Sequence, residues 1–208
     1  MKILFMRHGE SKSQAKQIEL CAPDSINGLT DHGVEQIKET AAKFDGNINA
    51  VYASPYKRTV LTAQIFLNEI GINKQIITDD RLREIDYGYH GGEAVNKAEL
   101  TDVAIKQIAG DYDIRFGKTG ENKREIVTRF FDFIVDIFNK HKFDETILAV
   151  SHGRAISIFN YEFCQINNMV VDDNGTQNAQ IKEFILTKEC VSNIEKRLKA
   201  LVSGQKTI

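Results

Sequence analysis

The chain is poor in the features that mark specialised proteins, and each shortage excludes something. No stretch approaches the ~20 apolar residues needed to span a membrane. The apolar stretch behind Met1-Lys2 runs only from Ile3 to Met6, too short for the apolar region of a secretion signal, so the expected location is cytoplasmic. Proline is scarce, with two in 208 residues, and no linker divides the sequence, so a single domain over residues 1–208 is expected. The three cysteines, Cys21, Cys164 and Cys190, are odd in number and lack metal or redox spacing. They read as incidental thiols in a reducing compartment. The net charge of −2, from 27 basic and 29 acidic residues, offers neither nucleic acid nor an anionic membrane a partner. No His-x-x-x-His or Asp-x-His pair suggests a metal, and no Gly-Lys-Ser/Thr follows a glycine-rich loop, so neither a metal centre nor a nucleotide phosphate loop is expected.

What is present is a repeated pattern of another kind. Arg7-His8-Gly9-Glu10-Ser11 follows the apolar run Ile3-Leu4-Phe5-Met6, and Ser151-His152-Gly153-Arg154 follows Ile147-Leu148-Ala149-Val150. Short, continuous apolar runs closed by glycine read as strands buried on both faces. In open α/β sheets ligands bind beyond the carboxyl ends of such strands, so neighbouring strands would bring His8 and His152 into one crevice. An isolated histidine is ordinarily a packed residue. Two in this position, each with an adjacent or nearby arginine, point to a pocket for an anion.

The remaining pattern alternates strands and helices. Strands are expected at 2–6, 49–53, 75–78, 146–150 and 180–186. Thr30-Asp31 reads as the cap of a helix through residue 43. Ser54-Pro55 reads as cap and first position of a helix reaching Ile70, ended by Gly71. Ile126, Val127, Phe130, Ile134, Ile137 and Phe138 fall on one face of a helix over 121–140. A further helix should follow Gly153, and a last one covers about 189–203. Such alternation implies a three-layer α/β/α sandwich with a mostly parallel central sheet. Residues 86–120 interrupt the regularity with glycine-rich, aromatic and polar segments around a helix at 93–109. They are expected to form a small lid insertion over the crevice, because loops beside a site often carry specificity. The last helix either closes the domain or pairs with a second subunit, so a homodimer is allowed.

The Arg7–Glu10 run resembles the hallmark of the histidine phosphatase superfamily, the fold group of the cofactor-dependent phosphoglycerate mutases and related phosphatases. The resemblance continues in family order through Gly28-Leu29-Thr30 with Gly33 and Gln36, Ala53-Ser54-Pro55 with Arg58 and Thr62-Ala63, and Leu82-Arg83-Glu84 with Gly88 and Gly92. It closes with Gly120-Glu121, Val150-Ser151-His152-Gly153 and Asn178, spanning residues 3 to about 185. It implies a nucleophile at His8, a proton donor at Glu84, and a phosphate site of Arg7, Arg58, His152, Gln14 and Gly153. Gln14 departs from the family, where asparagine is common at this distance, and its amide reaches one methylene further.

The residue types suit that chemistry. Phosphoryl transfer is catalysed mainly by positioning and charge stabilisation. Arg7 and Arg58 can each present paired N–H groups to phosphate oxygens, which lysine cannot reproduce. A neutral imidazole can attack phosphorus, giving a phosphohistidine that water later cleaves. Nearby arginines favour that neutral form. Both histidines follow strands, so spacing leaves open which one attacks; the resemblance selects His8. The departing alkoxide needs a proton, and Glu84 must carry one with substrate bound, which an adjacent dianion favours. Asp86 and Glu93 are rival carboxylates. The expected activity is hydrolysis of a small phosphate ester with no cofactor. The alternatives are a phosphoglycerate mutase, from which residues 82–88 and the short insertion lead away, and a non-catalytic phospholigand-binding module, which predicts loss of His8 or Glu84. Tyr87, Tyr89, Tyr112, Phe116, Arg115 and Lys118 either contact the substrate or pack the lid.

Overall fold

The computed structural model describes residues 1–15, 28–88, 101–103, 106–107, 110–117, 119–171 and 175–203. Its sheet contains β1 (Lys2–Arg7), β2 (Ala50–Ala53), β3 (Ile76–Thr78), β4 (Thr146–Ser151) and β5 (Ile181–Ile185). The spatial order is β3-β2-β4-β1-β5, parallel throughout except for the antiparallel β1–β5 pair at one edge. β1 and β4 are direct neighbours, in register from Lys2 opposite Thr146 to Arg7 opposite Ser151. Residues 8 and 152 therefore leave the sheet side by side.

The period-two alternation of the strands sorts their apolar side chains onto two faces. Ile3, Phe5, Ile147, Ala149 and Phe184 face a core shared with α4 (Lys123–Lys140), α5 (Gly153–Ile166) and α6 (Lys188–Val202). Leu4, Met6, Val51, Leu148 and Val150 face the other core, beneath α2 (Asp31–Ala42) and α3 (Lys57–Glu69). Both faces are covered, which gives the three layers and explains the continuous apolar runs. On the first face Phe5 lies 4.8 Å from Phe159 and 5.8 to 6.5 Å from Phe130, Phe133 and Phe184, centroid to centroid. Truncating such a buried ring costs roughly 3–5 kcal/mol.

Local signals fix the helix ends. Thr30 caps α2 by accepting from the Gly33 amide at 3.0 Å. Asn122 and Glu125 close a reciprocal capping box at the start of α4. Gly71, at φ +68, follows α3 in a conformation that glycine adopts without strain. The start of α3 corrects the expectation at Ser54-Pro55. The helix begins at Lys57, and Tyr56 takes the cap position with no side-chain cap bond. Ser54 Oγ is held instead by His152 Nε2 at 2.9 Å, so the site has claimed the hydroxyl expected to cap.

Beside α4, Lys123 Nζ lies 2.7 Å and Arg197 Nη2 3.1 Å from the carboxylate of the fully buried Glu162. Tyr112 donates to the same carboxylate and lies against both cations. This cluster ties α4, α5 and α6 to the segment that carries Tyr112.

Among the described residues Cys164 and Cys190 form no disulfide, and Cys21 lies outside the described residues. Among the described residues no helix is long and apolar enough to cross a membrane.

Candidate active site

His8 and His152 emerge beyond the adjacent ends of β1 and β4 with ring centroids 5.2 Å apart. Both are buried, and Arg58, itself 4% exposed, lies between them. Its Nε donates to His8 Nε2 at 3.2 Å and its Nη2 donates to His152 Nδ1 at 3.0 Å. The opposite nitrogens define the tautomers. His8 Nδ1 is 2.7 Å from the Gly9 carbonyl, which can only accept, so Nδ1 carries the hydrogen and Nε2 the lone pair. His152 is the reverse: Nδ1 accepts from Arg58, and Nε2 donates to Ser54 Oγ. Burial, followed by the charge of Arg58, holds both histidines well below the ordinary imidazole pKa. The resemblance places His152 in the phosphate site; in this arrangement its Nδ1 accepts from Arg58.

Arg7 is anchored by Nη1 donating to the Thr176 carbonyl at 2.6 Å, while its buried Nε has no hydrogen-bond partner among the described residues. Burial lowers its pKa and the charge of Glu84 raises it again, so the acid and the guanidinium share one neighbourhood. Gly153 lies flat against this arginine, because a Cβ there would meet Arg7 Nε at 2.9 Å and Cζ at 3.0 Å. Glu84 follows the single 3₁₀ turn Asp80–Leu82. Its Oε1 accepts from the Ile85 amide at 3.0 Å and from the Ala155 amide at 3.2 Å, at the start of α5. Of the rival carboxylates, Asp86 accepts from the Gly88 amide at 2.8 Å, and Glu93 lies outside the described residues.

Gln14 sits in the short helix α1 (Lys12–Ala15) and presents its oxygen inward. Oε1 accepts from the Ser11 amide at 3.1 Å and from Asn178 Nδ2 at 3.2 Å. Asn178 Nδ2 also donates to the His8 carbonyl at 3.0 Å, so Gln14 supports the His8 loop through Asn178. Two contacts escaped the sequence reading. Thr62 Oγ1 receives the Gly9 amide at 3.2 Å and donates to the Arg58 carbonyl at 2.7 Å, joining the His8 loop to α3. Ser151 Oγ donates to the Leu82 carbonyl at 2.8 Å, joining β4 to the turn before Glu84. Both residues lie within the motifs of the family resemblance, but only the burial of their hydroxyls reveals these contacts.

The other histidines lie elsewhere. His32 contacts Gln36, His141 bridges Tyr52 and Glu145, and His90 is outside the described residues. Of the insertion, residues 101–103 and 106–107 are helical, whereas 89–100, 104–105, 108–109 and 118 lie outside the described residues, Tyr89 and Lys118 among them. Tyr87 and Phe116 are buried against each other at 5.1 Å, and Arg115 is paired with Glu125 at 2.6 Å. Tyr87, Phe116, Tyr112 and Arg115 therefore all have packing or ionic partners within the protein.

The sheet order, the two buried histidines at the carboxyl ends of its strands and the arginine between them define an α/β protein with a buried cationic site suited to an anion. The family model of the histidine phosphatase superfamily (branch 1) matches residues 3–195, and the chain belongs to that superfamily. It is similar to a 2,3-bisphosphoglycerate-dependent phosphoglycerate mutase of Thermoplasma acidophilum, 40% identical over 99 residues. That match spans 47% of this chain and only about half, 48%, of the mutase. It is 27% identical over 157 residues to phosphoserine phosphatase 1 of Hydrogenobacter thermophilus, covering 73% of this chain and 71% of that protein. A phosphoserine phosphatase variant of Entamoeba histolytica, solved in complex with phosphoserine, shares the fold. It has TM-score 0.70 and 23% identity, over 90% of this chain and 92% of that one.

Proposed function

We propose that the protein is a phosphomonoesterase for a small phosphorylated metabolite, working through a phosphohistidine on His8. The observation that carries this reading is the protonation pattern of the buried pair. His8 is fixed with Nδ1–H on the Gly9 carbonyl and an unprotonated Nε2 facing Arg58 and His152. An imidazole so held is a nucleophile with its reactive lone pair aimed at the cationic side of the site.

A phosphate dianion entering between Arg7 and Arg58 is a stronger acceptor than the neutral imidazole, so the Arg58 N–H groups turn onto its oxygens and release Nε2. In-line attack forms the N–P bond as the ester oxygen leaves, and Glu84 supplies the proton that makes the leaving group an alcohol. Water then attacks the phosphohistidine, with the resulting carboxylate of Glu84 accepting its proton. His152, neutral without substrate, gains reason to protonate beside a dianion and then donates to it. No metal or cofactor takes part in these steps. The site acts on a soluble small molecule, and cytoplasmic location and one domain over 1–208 belong to the same reading.

A second reading, a phosphoglycerate mutase, draws on the 40% identity to the Thermoplasma acidophilum enzyme over 99 residues. One assay separates the two. Release of inorganic phosphate is measured from p-nitrophenyl phosphate, phosphoserine and 3-phosphoglycerate, and 2-phosphoglycerate formation is followed with and without a bisphosphoglycerate primer. Phosphate release in every condition supports the phosphatase. Primer-dependent isomerisation with little release supports the mutase. No turnover in any arm leaves a phospholigand-binding module.

A further inference from the structure

Arg129, on α4, plays no part in the steps above, yet its guanidinium is engaged on every side. Nη1 donates to the Arg81 carbonyl at 2.7 Å and the Arg83 carbonyl at 2.8 Å, and Nη2 reaches the Glu84 carbonyl at 3.5 Å. Nε and Nη2 form a fork onto Glu121, at 2.8 and 3.1 Å. Both side chains are largely buried, at 11% and 16% exposure. Glu121 in turn holds the far side of the same loop: its Oε2 accepts from the Asp86 amide at 3.0 Å, and its own amide donates to the Asp86 carbonyl at 2.8 Å.

Residues 83–87 belong to neither helix nor strand, so the carbonyls of Arg83 and Glu84 have no ladder to satisfy them. The pair supplies what the backbone lacks, on both sides of Glu84. The segment that brings Glu121 is itself locked against the loop. A Cβ on Gly88 would meet the Gly120 amide nitrogen at 2.5 Å, and one on Gly120 would meet the Asp86 carbonyl at 2.6 Å. The two ends of the insertion thus touch backbone to backbone, with Arg129 beneath them.

We propose that Arg129, through its pair with Glu121, is a positioning residue that sets the reach of the Glu84 carboxyl into the site. This rests on Glu84 being the proton donor. Arg129 does not touch the reacting atoms; it acts through the backbone, and its charge, which Arg129→Lys retains, also reaches His152. Lysine keeps the charge but cannot make the fork and grip the carbonyls together. A carboxyl displaced by about 1 Å can lose roughly 10²-fold in rate.

The test compares an alkyl phosphate, whose leaving oxygen needs a proton, with p-nitrophenyl phosphate, whose leaving oxygen does not. The proteins are the wild type, Arg129→Lys, Glu121→Gln, Glu84→Gln and the double variant Glu84→Gln/Arg129→Lys. Arg129→Lys is expected to lower kcat for the alkyl ester about 10²-fold and for the aryl ester by under about 3-fold, with KM little changed. Added to Glu84→Gln, it should cost the alkyl ester nothing more. Glu121→Gln retains Arg129 and its carbonyl contacts; it is expected to shift the same ratio in the same direction by less, and it serves as the variant should Arg129→Lys fail to fold by circular dichroism. Equal losses on both esters in the folded clamp variants, or multiplicative losses in the double variant, overturn the positioning role. Equal losses in Glu84→Gln overturn the acid assignment and the positioning proposal with it, so the two failures are told apart.

Discussion

Two of the buried charge clusters among the described residues are built in opposite ways. Around Glu162, Lys123 and Arg197 approach one carboxylate at 2.7 and 3.1 Å, and Tyr112 completes it. Around His8, Arg58 gives its hydrogen bonds to two imidazoles that burial keeps neutral. The first cluster sets two cations against one shared carboxylate and joins three helices. In the second, Arg58 donates to two imidazoles, weak acceptors that a dianion can displace. A shared carboxylate suits the first to holding helices together, and histidines of depressed pKa beside an arginine mark the second as the functional-site candidate.

The comparison can be broken at either end. The largest effect expected is on stability at the paired cluster. Glu162→Gln leaves two buried cations without their anion and should cost about 3–5 kcal/mol in denaturant unfolding. The rate per folded molecule should stay near that of the wild type. A loss under 1 kcal/mol would mean that the cluster does not hold the helices together. At the other cluster the balance inverts. Arg58→Met should reduce kcat/KM about 10²–10³-fold, the usual effect of deleting one charge-stabilising donor. It should change stability less than Glu162→Gln does, because it removes hydrogen bonds to neutral acceptors, about 1 kcal/mol each, and also a buried charge.

A smaller effect tests the neutrality of the histidines. Their folded-state pKa values are depressed, so below the unfolded value of about 6.5 the unfolded chain binds protons that the native state refuses. Stability is therefore fully present above about pH 6.5 and falls as the pH drops below it, by up to about 1.4 kcal/mol per unit for each histidine. His8→Asn or His152→Asn should flatten the acid limb of a stability–pH curve. An unchanged slope would show that the rings are not held neutral. The smallest effect expected is none: among the described residues no His, Cys, Asp and Glu group is placed to hold a metal, and dialysis against a strong chelator should leave the rate unchanged. Loss of activity, restored by magnesium or zinc, would replace charge stabilisation by arginine with metal catalysis.

Much of this arrangement was legible in the sequence because it depends on short periods. Apolar runs buried on both faces locate β1 and β4, and an α/β sheet puts His8 and His152 beyond the same ends of their strands; that the two strands are neighbours is what the structure adds. The start of α3 was misread for a physical reason. Ser-Pro is a good helix opening, but a hydroxyl has one strongest partner, and here it is His152. The acid loop was legible only as a motif. The Glu84 carboxylate is held by the Ile85 and Ala155 amides and its carbonyl is reached by an arginine 45 residues away, and backbone groups leave no trace in side-chain spacing. Gln14 illustrates the same limit, since its oxygen turns toward Asn178, a partner 164 positions distant.

The central claim is that His8 Nε2 takes the phosphoryl group while His152 does not. Rapid acid-free quenching of the wild type with a ³²P-labelled ester, followed by peptide mapping, tests it directly. Label labile in acid and stable in alkali is expected on the peptide containing His8 and absent from His8→Ala, which should also lose turnover of every ester. Label on the His152 peptide, or full turnover by His8→Ala, would contradict it.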